Sequence, residues 1–198
     1  MAPSRTRTIV IAGVLSAISI LLAVTPIGYL ISIAGISATT MHIPVIIGAI
    51  LEGPVVGALI GLVFGVTSLI RAAVAPNGPI DPLFVNPLLS VLPRLFIGPV
   101  AWLVWRALRR WPAVGLAAAG AAGSMTNTIL VLGMLGLLLP ANFKLTDTLI
   151  LTDALKWPFL GGVATTSGVL EMIVSAVIVM AVLAAWFQID TRRKGSNV

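Results

Sequence analysis

Three short polar runs interrupt otherwise apolar stretches, and their spacing sets what chemistry they can do. Asn86, Ser90 and Arg94 recur at i, i+4 and i+8, which places them on one face of a helix. Ser167, Glu171 and Ser175 repeat that spacing, and Ser124, Asn127 and Thr128 cluster in the run between them. Arg94 and Glu171 are the charges that lie well inside apolar runs. Each sits about 12 Å along the helix axis from the same end of its run, so the two can meet. One reading is a buried ion pair that fixes the helices. The other is a ligand site, in which Arg94 receives an anionic group and Glu171 orients it or binds a ligand donor. A paired arginine can still present a free fork edge, so both readings stay open. Pro93 and Pro99 loosen the same helix, and freed backbone groups at membrane depth are tolerated where they line a cavity.

Other chemistries lack their residues. The chain has no Gly-x4-Gly-Lys-Ser/Thr loop, no His-Glu-x2-His motif and no Gly-x-Ser-x-Gly elbow. It has no cysteine, so neither a disulfide nor a thiolate metal site is available. The single histidine, His42, follows Thr39-Thr40 and precedes Pro44, and is read as a structural hydrogen-bonding residue. No enzymatic role, no cofactor and no metal are expected.

The elements that must position these residues follow from composition. Of 198 residues, 59% are hydrophobic and 9% charged, and the mean hydropathy is +1.12. A soluble domain carries about 25% charged residues, so a soluble globular fold and a disordered chain are both excluded. An all-α, integral membrane six-helix bundle is expected, forming one transmembrane domain over residues 1–198. Its spans are read at about 8–27, 31–50, 54–74, 86–106, 113–139 and 163–187. The first follows Arg5 and Arg7 as a signal peptide would, but no convincing small-residue cleavage site follows, and it is read as a retained helix.

The basic residues set the direction. Arg5, Arg7, Arg106, Arg109, Arg110, Arg192, Arg193 and Lys194 fall on one side of this layout, and Arg71, Lys144 and Lys156 on the other. The positive-inside rule then makes both termini cytoplasmic. Trp102, Trp105 and Trp111 flank the inner cluster as an interfacial belt does. This placement accounts for the net charge of +6 without nucleic acid. The outer connections, 75–85 and 140–162, are long loops in this reading. Arg71, Asn77 and Asp81 are candidates for the mouth, or are simply solvated, and the second loop, with Asp147, Asp153, Lys156 and Trp157, lies over the outer mouth.

Small residues form two stripes. Gly57, Gly61 and Gly65 align on the third span, and Ala12 with Ser16 and Gly13 with Ala17 form two adjacent pairs on the first. Such stripes let helices approach closely in lipid. Packing within the chain is the favoured reading for the third span, and a docking surface for another membrane subunit for the first.

The stretch Met-His-Ile-Pro-Val-Ile-Ile-Gly-Ala-Ile-Leu-Glu-Gly-Pro-Val-Val-Gly-Ala-Leu-Ile-Gly-Leu-Val-Phe-Gly-Val-Thr-Ser at 41–68 resembles the substrate-binding S component of energy-coupling factor (ECF) vitamin transporters. So does Asn-Pro-Leu-Leu-Ser-Val-Leu-Pro-Arg-Leu-Phe-Ile-Gly at 86–98. The resemblance covers nearly the whole chain, and the Ile-Pro-Val-Ile-Ile-Gly-Ala-Ile wording looks most like the pantothenate-type group. It implies a small six-helix protein of the prokaryotic plasma membrane that binds a vitamin at its outer side. It also implies docking, through the small-residue face of the first helix, on a transmembrane coupling subunit that carries two ABC-type ATPases. The family's Ala-x3-Ala motif is replaced here by Ala12-x3-Ser16 or Gly13-x3-Ala17. The implied site lies in the last three spans and the outer loops. Arg94 would pair a carboxylate, and Asn86, Ser90, Asn127 and Thr128 would bind hydroxyls and an amide. Ser167, Glu171 and Trp157 complete the candidates. Few aromatics are on hand (Phe84, Trp157, Phe159), which favours a small aliphatic ligand over a large flat one. The rivals are a small ion-gradient-driven transporter using Arg94 and Glu171 as a proton relay, an intramembrane enzyme using Glu171 or His42, and a structural subunit with no ligand.

Overall fold

The computed structural model describes residues 5–33, 36–76, 78–146 and 149–195, with side chains outside 30–38 and 189–195. Asn77 and Asp147 therefore lie outside the described residues, as do the side chains of Arg192, Arg193 and Lys194. Among the described residues the fold is all-helical apart from two small hairpins. Helix α1 spans Arg5–Val24, followed by the hairpin β1 (Tyr29–Ile33) and β2 (Ile36–Thr39), then α2 (Ile43–Glu52) and α3 (Pro54–Val74). A 3-10 turn (Asp81–Val85) leads to α4 (Pro87–Ser90), α5 (Leu92–Leu108) and α6 (Pro112–Leu138). The hairpin β3 (Phe143–Lys144) and β4 (Ile150–Leu151) precedes α7 (Asp153–Val163), a π turn (Ala164–Gly168) and α8 (Val169–Gly195). Among the described residues, five helical stretches are long and apolar enough to cross a membrane: Arg5–Val24, Pro54–Val74, Pro87–Leu108, Pro112–Leu138 and Asp153–Gln188.

The expected second span at 31–50 is not one helix. Its first part is the β1–β2 hairpin, and only Ile43–Glu52, 10 residues long, is helical. Tyr29-Leu-Ile-Ser-Ile and Ile36-Ser-Ala-Thr are rich in β-branched and aromatic residues, which favour extended backbone. Pro44, within the first turn of α2, suits a helix start and not an interior. At about 1.5 Å per residue α2 covers roughly half of a bilayer core. The hairpin is folded back, with Thr40 N–H donating to the Gly28 carbonyl (3.0 Å) and the Ser19 hydroxyl to that of Met41 (3.3 Å).

The last span also differs from its expectation. It begins at Asp153, not near 163, so the loop over 140–162 is shorter than read. Asp153 sits in the first turn, where a carboxylate complements the helix dipole. Pro158, Gly161 and Gly162 lie inside α7.

The helices pack antiparallel through glycine. A Cβ at Gly57 would crowd Gly98, one at Gly61 would clash with the Arg94 carbonyl, and one at Gly65 would lie 2.8 Å from the Ser90 carbonyl oxygen. The third-span stripe thus packs within the chain, against α4 and α5. Gly53, between α2 and α3, has φ +100°, a region that L side chains avoid, and its N–H caps the Ala49 carbonyl. At the same end Arg7 pairs with the buried Glu52 (3.4 Å), which also accepts from the Thr8 hydroxyl (2.7 Å). The α3–α5 register puts Arg106 at this end and Arg71 at the other. Two apolar clusters form the core. One is centred on Ile46, Ile60, Ile97 and Leu183, the other on Leu89, Leu135, Leu139 and Leu160.

Candidate functional site

A cavity of about 610 Å³ lies where the two apolar clusters meet, toward the Arg71 end of the bundle. Helical periodicity explains its walls. Phe64, Ser68, Arg71 and Ala72 project from one face of α3, and Asn127, Thr128, Val131, Leu132 and Leu135 from one face of α6. Val163, Ser167, Gly168 and Glu171 come from α7, the π turn and α8. Phe84 and Arg94 close one side, and Thr25, Tyr29, Thr39 and Met41 another.

The position of Arg94 follows from Pro93. Proline has no N–H, so the carbonyl four residues back, Leu89, loses its helical partner. The chain breaks between α4 and α5 at that point, and Arg94 Nη1 donates to the Leu89 carbonyl (2.5 Å). The guanidinium lies 5.4 Å from the ring centroids of both Phe64 and Phe84, favourable contacts for a cation. It is 5% exposed, and its Nε has no hydrogen-bond partner among the described residues.

Glu171 follows the π turn. Such wide turns interrupt regular helix bonding and recur at functional sites. Here the turn brings Gly168 onto Thr128, where any larger residue would crowd the threonine methyl. One oxygen of Glu171 accepts the Thr39 backbone N–H, and the other accepts from the Thr128 hydroxyl (3.3 Å). The first bond ties the β1–β2 hairpin to α8 across the cavity.

Arg94 and Glu171 line the same cavity but form no ion pair; none within 4.0 Å joins them among the described residues. The ion-pair reading is therefore corrected. Both charges are buried, one held by a carbonyl and two rings, the other by two donors. Asn127 and Ser167 also line the cavity, and the Asn127 Oδ1 and Ser167 Oγ atoms have no partner among the described residues. Buried polar groups are costly when unpartnered, and a ligand with complementary groups would satisfy these two atoms.

The mouth is framed by Arg71, Tyr29 and Asp81. The Arg71 guanidinium stacks 4.7 Å over the Tyr29 ring.

The cavity gathers five of the eight candidates read from sequence: Arg94, Asn127, Thr128, Ser167 and Glu171. The other three lie off its wall. Asn86 caps α4, accepting from Leu88 N–H (3.0 Å), and the Ser90 hydroxyl donates to the Phe84 carbonyl. Both hold the strand of chain that carries Arg94. Trp157, 49% exposed, packs on α6 over Gly136. His42 lies off the cavity wall, fully buried, with Nε2 2.7 Å from Ser175 Oγ. Tyr29, Thr39, Phe64 and Ser68 did not stand out in the sequence. The first two sit on a hairpin hidden within a hydrophobic run, and the last two share a helix face with the glycine stripe.

Comparison with known proteins adds independent findings. The family model for the ECF transporter, substrate-specific component, matches residues 7–183. A protein named pantothenic acid transporter PanT, from Lactococcus lactis subsp. cremoris, is 28% identical over 166 residues, covering 76% of this chain and 78% of its own. A pantothenate transporter PanT from Leuconostoc mesenteroides is 27% identical over 194 residues, covering 92% and 93%.

Proposed function

This chain belongs to the family of ECF transporter substrate-specific components, and from that premise we propose that its ligand is pantothenate, captured from outside the cell. It is a multi-pass protein of the bacterial cell membrane and the substrate-binding subunit of an importer. That family is a transporter component and not an enzyme family. The names of the two relatives favour pantothenate, and one observation in the structure carries the chemistry. The cavity holds a buried arginine and a buried glutamate that are not paired with each other. Pantothenate has a carboxylate at one end, two hydroxyls at the other and an amide between. Arg94, with its Nε unpartnered, matches the carboxylate. Asn127, Ser167, Thr128 and Glu171 match the amide and hydroxyls.

In this reading the Arg106 end of the bundle faces the cytoplasm, with both termini, and the cavity opens outward. The six expected helices correspond to the five crossing stretches and the half-length α2, which shares its span with the hairpin. The chain works with a transmembrane coupling subunit and two ABC-type ATPases. The docking face is on α1, where Gly13 and Ala17 are exposed and Ala12 and Ser16 are half-buried. A Cβ at Gly13 would meet nothing within 4 Å, so Gly13-x3-Ala17 is the register that presents a free face.

The test is mass spectrometry of small molecules retained through gentle detergent purification. Near-stoichiometric pantothenate is expected. A folded, ligand-free preparation that shows no thermal shift with pantothenate or a vitamin panel overturns the assignment.

A further inference from the structure

We propose that Glu171 is a charge filter: it accepts ligands whose far end is an uncharged hydrogen-bond donor and rejects ligands of the same shape that carry a second negative charge there. The inference rests on the pantothenate reading for the ligand and adds its orientation and selectivity.

Two observations lead to it. Arg94 and Glu171 are 5% and 6% exposed and line one cavity, yet no ion pair within 4.0 Å joins them among the described residues. Opposite charges in so apolar a setting attract strongly, so each must be held in place. Arg94 is held by the Leu89 carbonyl and two aromatic rings. Glu171 is held by the Thr39 N–H and the Thr128 hydroxyl, one on each oxygen. A carboxylate offers about four acceptor positions, so both oxygens keep acceptor capacity in a residue that faces the cavity. The neighbouring Ser167 hydroxyl and Asn127 amide oxygen are also without partners.

This divides the cavity into an anion end and a donor-seeking end. A ligand with one carboxylate lies with that group at Arg94. Its opposite end then meets Glu171, where hydroxyls donate and a second anion is repelled at low dielectric. A purely structural glutamate would not discriminate between ligands in this way.

The experiment is calorimetric titration of the full-length protein in detergent with three compounds. They are pantothenate and two analogues in which the terminal hydroxymethyl group is replaced by a carboxamide or by a carboxylate. The two replacements are nearly identical in shape and differ in charge. The wild type is expected to bind the carboxamide about tenfold or more tightly than the carboxylate. In Glu171→Gln the carboxylate analogue gains affinity while pantothenate loses some, and the ratio collapses toward one. A wild-type ratio near one overturns the inference, and so does a large ratio that persists in Glu171→Gln. If the variant does not fold, the wild-type ratio decides alone. Wild-type protein that binds no pantothenate overturns the pantothenate reading and the filter together, whereas binding without discrimination overturns the filter only.

Discussion

At the residue scale, the site depends on charges kept apart. Arg94 would lose its reach to a ligand carboxylate in Arg94→Gln. Removing one partner of a buried charge-assisted contact costs about 2–5 kcal/mol, so pantothenate affinity should fall by at least about tenfold in titration. The Arg94→Gln protein should still insert, because Glu171 has its own two donors. His42 makes a different prediction. It lies off the cavity wall and bonds Ser175 at 2.7 Å. His42→Ala should lower the melting temperature by an amount equivalent to about 1–3 kcal/mol, from a buried hydroxyl left without its partner, and affinity of the folded protein should hold. The site was partly legible at this scale. Ser167 and Glu171, or Asn127 and Thr128, stand out because polar residues are rare in so apolar a chain. Asn86 and Ser90 share the same sequence logic but serve the local chain. A helical wheel assumes an unbroken helix, and Pro93 breaks this one.

At the element scale, proline and glycine do the positioning. Pro93→Ala would give residue 93 an N–H that competes for the Leu89 carbonyl now held by Arg94. The expected outcome is a straighter helix and a severalfold weaker affinity, measured by titration alongside circular dichroism. Gly61 sits against the Arg94 backbone carbonyl, with no room for a Cβ. Gly61→Ala should destabilise by about 1–3 kcal/mol, the usual cost of overpacking, and weaken binding by shifting Arg94. Gly133→Ala is the control, since a Cβ there meets nothing within 4 Å; its melting curve should match the wild type. The helices themselves were readable from hydrophobic runs, because a bilayer demands about 20 apolar residues per crossing. The β1–β2 hairpin was not, because an apolar run looks alike whether helical or extended.

At the scale of the whole molecule, ligand capture and transport separate. Gly13 is exposed on α1 at the Arg7 end, away from the cavity, with open space around it. Gly13→Leu should leave pantothenate binding unchanged in detergent and abolish uptake by cells that supply the coupling module. Loss of binding in that variant would count against docking through α1. Uptake that survives ATP depletion but fails when the proton gradient is dissipated would favour the gradient-driven rival.

By itself the sequence determined that this is a helical membrane protein, where most of its crossing runs lie, and which polar residues were too deep to be accidental. Those properties follow from composition and from the cost of polar groups in lipid, which act on each segment separately. Only the tertiary structure decided that the Gly57–Gly65 stripe faces α4 and α5, that Thr39 reaches Glu171 from a hairpin 132 positions away in sequence, and that Arg94 and Glu171 share a cavity without pairing. Such outcomes depend on where helices break and how closely their backbones approach. A proline, a π turn and a few glycines control both, and their effects appear only once the helices are packed together.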